Sequence, residues 1–183
     1  MNLTGQFLIS MPALEDERFF KTVIYICAHS KDGAMGIIIN KKIDYDLYPD
    51  LLEQLGIDKP LENKKLFIRY GGPMESGRGF VLHSDEIIRQ ETLSIDKGVA
   101  LTSTSDFFDD LSKGSGPKNS ILALGYSGWG PGQIEQEILS NSWMTLSIDS
   151  SFIFDENVSN KWLEAYNLLG INPNNLSNNS GRA

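Results

Sequence analysis

The segment 22–40 constrains the fold more than any other part of the chain. Residues 22–29 are dense in β-branched and aromatic side chains (Val23, Ile24, Tyr25, Ile26), the composition of a strong strand. Ser30-Lys31-Asp32-Gly33 follows, and Asp-Gly supplies the positive backbone angle that a hairpin turn requires. Residues 35–40 then return as the second arm. Apolar residues fall on both faces of the two arms, so the hairpin belongs deep in a core, not half-exposed at its edge.

The rest of the chain supplies more short strands than helices. Residues 7–9 read as a strand ended by Pro12, 66–70 and 80–83 as strands flanking the turn Gly71-Gly72-Pro73, and 92–95 with 99–102 as a second hairpin. A buried strand is expected over 121–124, and further strands over 143–148 and 152–154. Helices are expected over 49–55, between Pro49 and Gly56, and over 106–113, where Ser103 and Asp106 have the spacing of a capping box. Two more are expected over 131–140 and 158–169, the last carrying Val158, Trp162, Ala165 and Leu169 on one face and stopping at Gly170. No repeat or linker divides the chain, so residues 1–173 are read as one domain and 174–183 as a loose, asparagine-rich tail.

Composition excludes several functions. The 183 residues carry 24 acidic and 16 basic side chains, a net charge of −8, with the basic ones scattered. A polyanion-binding protein needs a positive surface to displace counterions, so direct nucleic-acid binding is not expected. One cysteine, Cys27, excludes an internal disulfide framework and fits a reducing compartment. The N-terminal residues lack the basic and apolar blocks of a signal peptide, and no apolar run approaches the ~18 residues of a membrane span. A cytoplasmic location without membrane contact is the expectation.

Three groups of residues invite chemistry. Gly125-Tyr126-Ser127-Gly128-Trp129-Gly130-Pro131-Gly132-Gln133 resembles a phosphate cradle, but it lacks the lysine of a P-loop, and Pro131 removes an amide. Glu135 and Glu137 already complement the helix that follows. The stretch is therefore expected to be a tight turn presenting Tyr126 and Trp129. Arg78 and His83 lie near the ends of one strand, suited to a carboxylate clamp and a general base, yet no G-x-S-x-G elbow accompanies them. Cys27, His29 and His83 are too few, and wrongly spaced, for a zinc site, so no metal or other cofactor is expected.

Four segments occurring in order carry a resemblance: Phe7-Leu8-Ile9-Ser10-Met11-Pro12, residues 33–40, Gly71-Gly72-Pro73 with Arg78-Gly79-Phe80-Val81-Leu82-His83, and residues 125–135. Asn141, Trp143, Trp162 and Leu169-Gly170-Ile171 extend it along essentially the whole chain. Together they resemble the bacterial AlgH/YqgE family. Ser127 stands where alanine is more usual there, and Lys41-Lys42 where an arginine often leads. The resemblance implies a mixed α+β fold: a bifurcated β-sheet partly closed into a small β-barrel and surrounded by helices. It brings no established activity, cofactor or catalytic residue.

The function expected is that of a non-catalytic binding or regulatory module, contacting its ligand or a protein partner through Arg78, His83, Tyr126, Trp129 and Gln133. The alternatives are a small hydrolase or transferase using His83 or His29 as base, and a transcriptional regulator acting through a protein partner.

Overall fold

The computed structural model describes residues 2–43, 68–96 and 98–176. The helix expected over 49–55 and the first two residues of the strand expected over 66–70 lie outside the described residues. The strands are β1 (Phe7–Ser10), β2 (Val23–Ser30), β3 (Gly33–Ile38), β4 (Ile68–Tyr70), β5 (Met74–Ser84), β6 (Leu93–Asp96), β7 (Val99–Thr102), β8 (Ser120–Trp129) and β9 (Trp143–Leu146). The helices are α1 (Ser105–Ser112), α2 (Gln133–Leu139), α3 (Ser151–Phe154) and α4 (Lys161–Leu168).

All nine strands join one sheet, in the order β6-β7-β5-β8-β3-β2-β1-β9, with β4 beside β8. Every pairing is antiparallel except β4 with β8. The hairpin of β2 and β3 closes with Ser30 opposite Gly33, and both strands are central, as their two-sided apolar pattern requires.

β8 holds the sheet together by belonging to two arms. Its first half pairs with β5 and β4, Leu122 lying opposite Val81 and Ile68. Its second half pairs with β3, with Ser127 opposite Gly36 and Trp129 opposite Ala34. The glycine-rich stretch expected to be a turn is thus strand as far as Trp129. The change of partner happens at Gly125, whose φ is 69°, in the left-handed region that side chains disfavour. Gly71-Gly72 crosses the strand at the same place. A methyl group on Gly72 would lie 2.2 Å from the Tyr126 carbonyl carbon, and one on Gly125 would lie 2.4 Å from the Gly72 oxygen. Backbone touches backbone here, and a side chain has no room.

Each face of the forked sheet has its own core. One face is shared by both arms, and Phe7, Tyr25, Ile37, Leu82 and Ile121 meet Trp162, Ala165 and Tyr166 of α4 there. Behind the β1–β3 arm, Leu8, Ile24, Ile38, Trp129 and Trp143 pack with Ile134 of α2. Behind the other arm, Val81, Leu122 and Leu124 pack with Phe107, Phe108 and Leu111 of α1. Splitting one sheet into two arms creates two separate backs, and each helix seals one of them.

The expected barrel is not closed by a hydrogen-bonded ladder: β6 and β9 end the strand order as free edges among the described residues. Gly5 and Gln6 of the turn before β1 bond the backbone of Ile26 in β2, each at 2.9 Å, which extends the β1–β2 pairing by one step. β6 instead packs its Asp96 against that turn, where a methyl on Gly5 would sit 2.8 Å from the Asp96 Cβ.

Two further expectations are corrected. The strand expected over 152–154 is the short helix α3, because Asp149 turns the chain by accepting the Ser151 amide on its side chain at 2.8 Å. The helix expected over 158–169 starts as a 3-10 turn, Val158–Asn160, before α4. Pro173–Asn175 forms another 3-10 turn, and Leu176 packs against the main core.

The crossing makes a quantitative demand. Gly125→Ala should lower stability by about 3 kcal/mol or more, combining left-handed strain with a backbone clash. Gly132→Ala has the same sign of φ, 72°, but open space around it. It should cost only about 1 kcal/mol. Urea-unfolding midpoints of the two variants test the difference.

Candidate functional site

Where the two arms part, a groove of about 910 Å³ opens. Its floor continues the main core through Cys27, Met35, Phe80, Leu101 and Tyr126. Its walls are the ends of β2 and β3, the C-terminal end of β8 from Tyr126 to Gly130, and the start of β6 at Leu93 and Ser94.

One rim is made by a bulge in β5. Met74 lies opposite Tyr126 and Gly79 opposite Leu124, so four residues of β5, 75–78, face the single residue Gly125 of β8. The surplus chain loops outward, with Glu75 at a φ of 44°. This bulge places Arg78 over the groove. Its guanidinium donates to Glu75 Oε2 and to Ser103 Oγ, each at 3.0 Å, and lies 5.1 Å from the centre of the Phe80 ring. Ser103, expected to cap α1, thus gives its hydroxyl to the groove. Tyr126 stacks edge-on against Phe80, with ring centres 5.7 Å apart.

Trp129 lines the groove but is 93% buried by its packing behind β8. Its indole N–H donates to Glu137 Oε2 at 2.9 Å, and the Trp143 indole donates to the same oxygen at 2.8 Å. Gln133 completes this tie. Its amide nitrogen donates to Glu137 Oε1 at 2.8 Å, while its amide oxygen accepts the Gly130 N–H at 3.0 Å. Gln133 and Trp129 therefore form the frame behind the groove wall, and Arg78 and Tyr126 stand in the groove itself.

His83 lies elsewhere. Alternation along β5 carries Phe80 and Leu82 to the shared core, and Val81 and His83 to the opposite face. There the ring packs on Phe107, 4.6 Å centre to centre, and is fully buried. Its Nδ1–H donates to the Ser84 carbonyl at 2.8 Å, so Nε2 accepts from the Thr102 hydroxyl at 2.9 Å. Thr102 Oγ1 lies 2.8 Å from Thr92 Oγ1, which accepts the Arg89 amide at 3.0 Å. A histidine and a hydroxyl do meet, as a hydrolase requires. Thr102 is 1% exposed, however, and neither residue reaches the groove.

The second histidine does line the groove. A bulge at Cys27 breaks the strand alternation, so Cys27 joins the main core while His29 turns to Leu3 and Glu135. His29 Nδ1 accepts the Leu3 amide at 3.0 Å, and Nε2 lies 2.8 Å from Glu135 Oε1. Both ring nitrogens are occupied. Burial raises the Cys27 thiol far above its ordinary value, which leaves it an inert thiol. No group of three or more His, Cys, Asp or Glu side chains among the described residues is placed to hold a metal ion.

The fold is a forked, mainly antiparallel sheet with a helix behind each arm and an apolar-floored groove at the fork. The chain belongs to the AlgH-like family, whose model matches residues 7–174. The UPF0301 protein of Nitrobacter hamburgensis is 49% identical over 189 residues, covering 99% of this chain and 88% of that one. A UPF0301 protein of Rhodospirillum rubrum is 44% identical, covering 99% and 94%. The solution structure of the AlgH protein from Pseudomonas aeruginosa superposes with a TM-score of 0.80 at 36% identity, covering 100% of this chain and 97% of that one. A crystal structure of a Corynebacterium diphtheriae protein shares the fold, with a TM-score of 0.66 at 19% identity over 88% of this chain.

The sequence reading missed Glu75, Glu91, Leu93 and Ser103, which reach the groove from separate strands and loops. The four residues inserted between Met74 and Gly79 are the only signal, and they become one only when β5 is paired with β8.

Burial lowers the His83 pKa below the ordinary value of 6.5. The native state therefore binds fewer protons than the unfolded chain just below that value, and stability falls on acidification through this window. The urea midpoint should rise with pH just below the ordinary value of 6.5 and level off above it, and His83→Gln should flatten that rise. Separately, Glu137→Ala leaves two indole donors without their acceptor and should cost about 2–4 kcal/mol in thermal or urea unfolding.

Proposed function

We propose that this protein is a non-catalytic binding module of the cytoplasm, working through the groove and regulating by engaging a protein partner. The observation that carries this reading is the combination at the fork: an apolar floor, a half-exposed arginine on its rim, and no nucleophile–base pair facing it among the described residues. Arg78 and Tyr126 are the contact residues in this reading, and Trp129 and Gln133 hold the wall behind them. His83 supports the far side of the same sheet. The groove's volume lies within the ~300–1,000 Å³ usual for ligand sites, and its mixture of apolar floor and few polar groups is the usual composition of such sites.

A fragment screen read by backbone-amide NMR tests the assignment. Bound fragments should shift amides at Arg78, Leu101, Tyr126 and Gly128, and Tyr126→Ala should weaken them about tenfold. Fragments that shift amides elsewhere, or bind the Tyr126→Ala protein equally, would overturn it.

A further inference from the structure

Resting on the groove reading, we propose that the occupant is an extended segment of a partner protein, laid along the outer edge of β6, with an apolar side chain in the groove and a lysine or arginine beside Glu91.

The backbone makes the first part of the argument. β6 ends the strand order, so its outer row of N–H and C=O groups has no strand beside it among the described residues. Natural sheets blunt such edges with short strands, bulges, charged side chains, proline or a covering element. β6 is short and its one irregularity falls at its far end, between Ser94 and Asp96, while Leu93 and Ser94 at the near end carry no lysine, proline or charge. Asp96, the one charge, is turned against Gly5 at the far end of the strand. The near end, Leu93 and Ser94, forms the groove wall, so a segment pairing with β6 there would pass over the groove. Adding a strand to an exposed edge gives affinity through main-chain hydrogen bonds, and pockets beneath alternate side chains give selectivity.

The apolar pattern makes the second. Met74 and Leu93 are large apolar side chains left 47% and 42% exposed, and both border the groove. An extended chain sends alternate side chains to one face, so one of them would enter over Phe80 and Leu101 between these two.

Charge selects the class of partner. Arg78 is already paired with Glu75 at 3.0 Å, which offsets its attraction for an anion. Glu91, on the same rim, has no hydrogen-bond or ion-pair partner among the described residues. The chain as a whole carries −8. A basic segment is drawn to this face and an acidic one is repelled.

The test selects peptides from a displayed random library of roughly 12-residue length against the full chain, then measures a synthesised winner on wild type, Glu91→Lys and Leu93→Lys. Both substituted positions are exposed, so the variants keep the fold, which their amide NMR spectra verify. Winners should alternate apolar and basic residues, shift the amides of Leu93–Asp96, and lose about tenfold in affinity on each variant. No enrichment, an acidic or neutral consensus, or undiminished binding to both variants would overturn the inference. Fragments seated in the groove alongside any of those results would leave the binding-module reading standing and remove only its occupant.

Discussion

Everything in this fold depends on three glycines meeting where β8 changes partners. A strand ordinarily has one neighbour on each side along its length. β8 instead keeps β5 as far as Tyr126 but has β4 beside it only as far as Leu124 and β3 only from Ser127 on. That exchange needs the backbone to turn at Gly125 while Gly71-Gly72 crosses within contact distance of the Tyr126 carbonyl group. A Cβ at either side of the contact would push the arms apart. The fork follows from that contact, and so do the two separate backs that α1 and α2 cover. The groove is the space left between the arms on the side they share.

The same fork separates the two histidines from any common chemistry. His29 sits at the end of β2 in the groove wall, with both ring nitrogens engaged. His83 lies behind β5, where its hydrogen bonds run through Thr102 to Thr92 and so tie β5, β7 and the segment before β6 together. Each ring is spent on holding strands in place. An activated nucleophile would need a base with a free nitrogen and a path to solvent, and neither ring offers both.

How much of this was legible in the chain depended on whether a residue's signal is local. The β2–β3 hairpin, the stop at Gly170 and the buried strand at 121–124 rest on local pattern, and the structure shows each. The glycine stretch misled for a physical reason. Four glycines in the eight residues 125–132 normally mark a turn, and only a strand that must pass close beneath another backbone uses them this way. The short helix at 151–154 hid behind Phe-Ile-Phe, whose β propensity lost to the turn in which Asp149 accepts the Ser151 amide on its side chain and the Phe152 amide on its carbonyl. Arg78 and Tyr126 were named from their motifs and do meet at the groove. Gln133 and Trp129 share the Tyr126 motif, yet both donate to Glu137, and the Gln133 amide oxygen accepts the Gly130 N–H. Alternation along β5 fixes the side on which His83 falls, but not what covers it. That was set by α1, which arrives from a distant part of the chain.

The Glu137 tie also bears on how the molecule is assembled in time. Trp129 ends β8, Trp143 begins β9, and α2 occupies the chain between them, so one carboxylate fastens both ends of a single short excursion. Contacts so close in sequence cost little loop entropy to form. The excursion can therefore gather early as a local nucleus, with both indoles already gripped. β9 would then be delivered beside β1, and the arm closed by a piece that was shaped before the distant strands arrived.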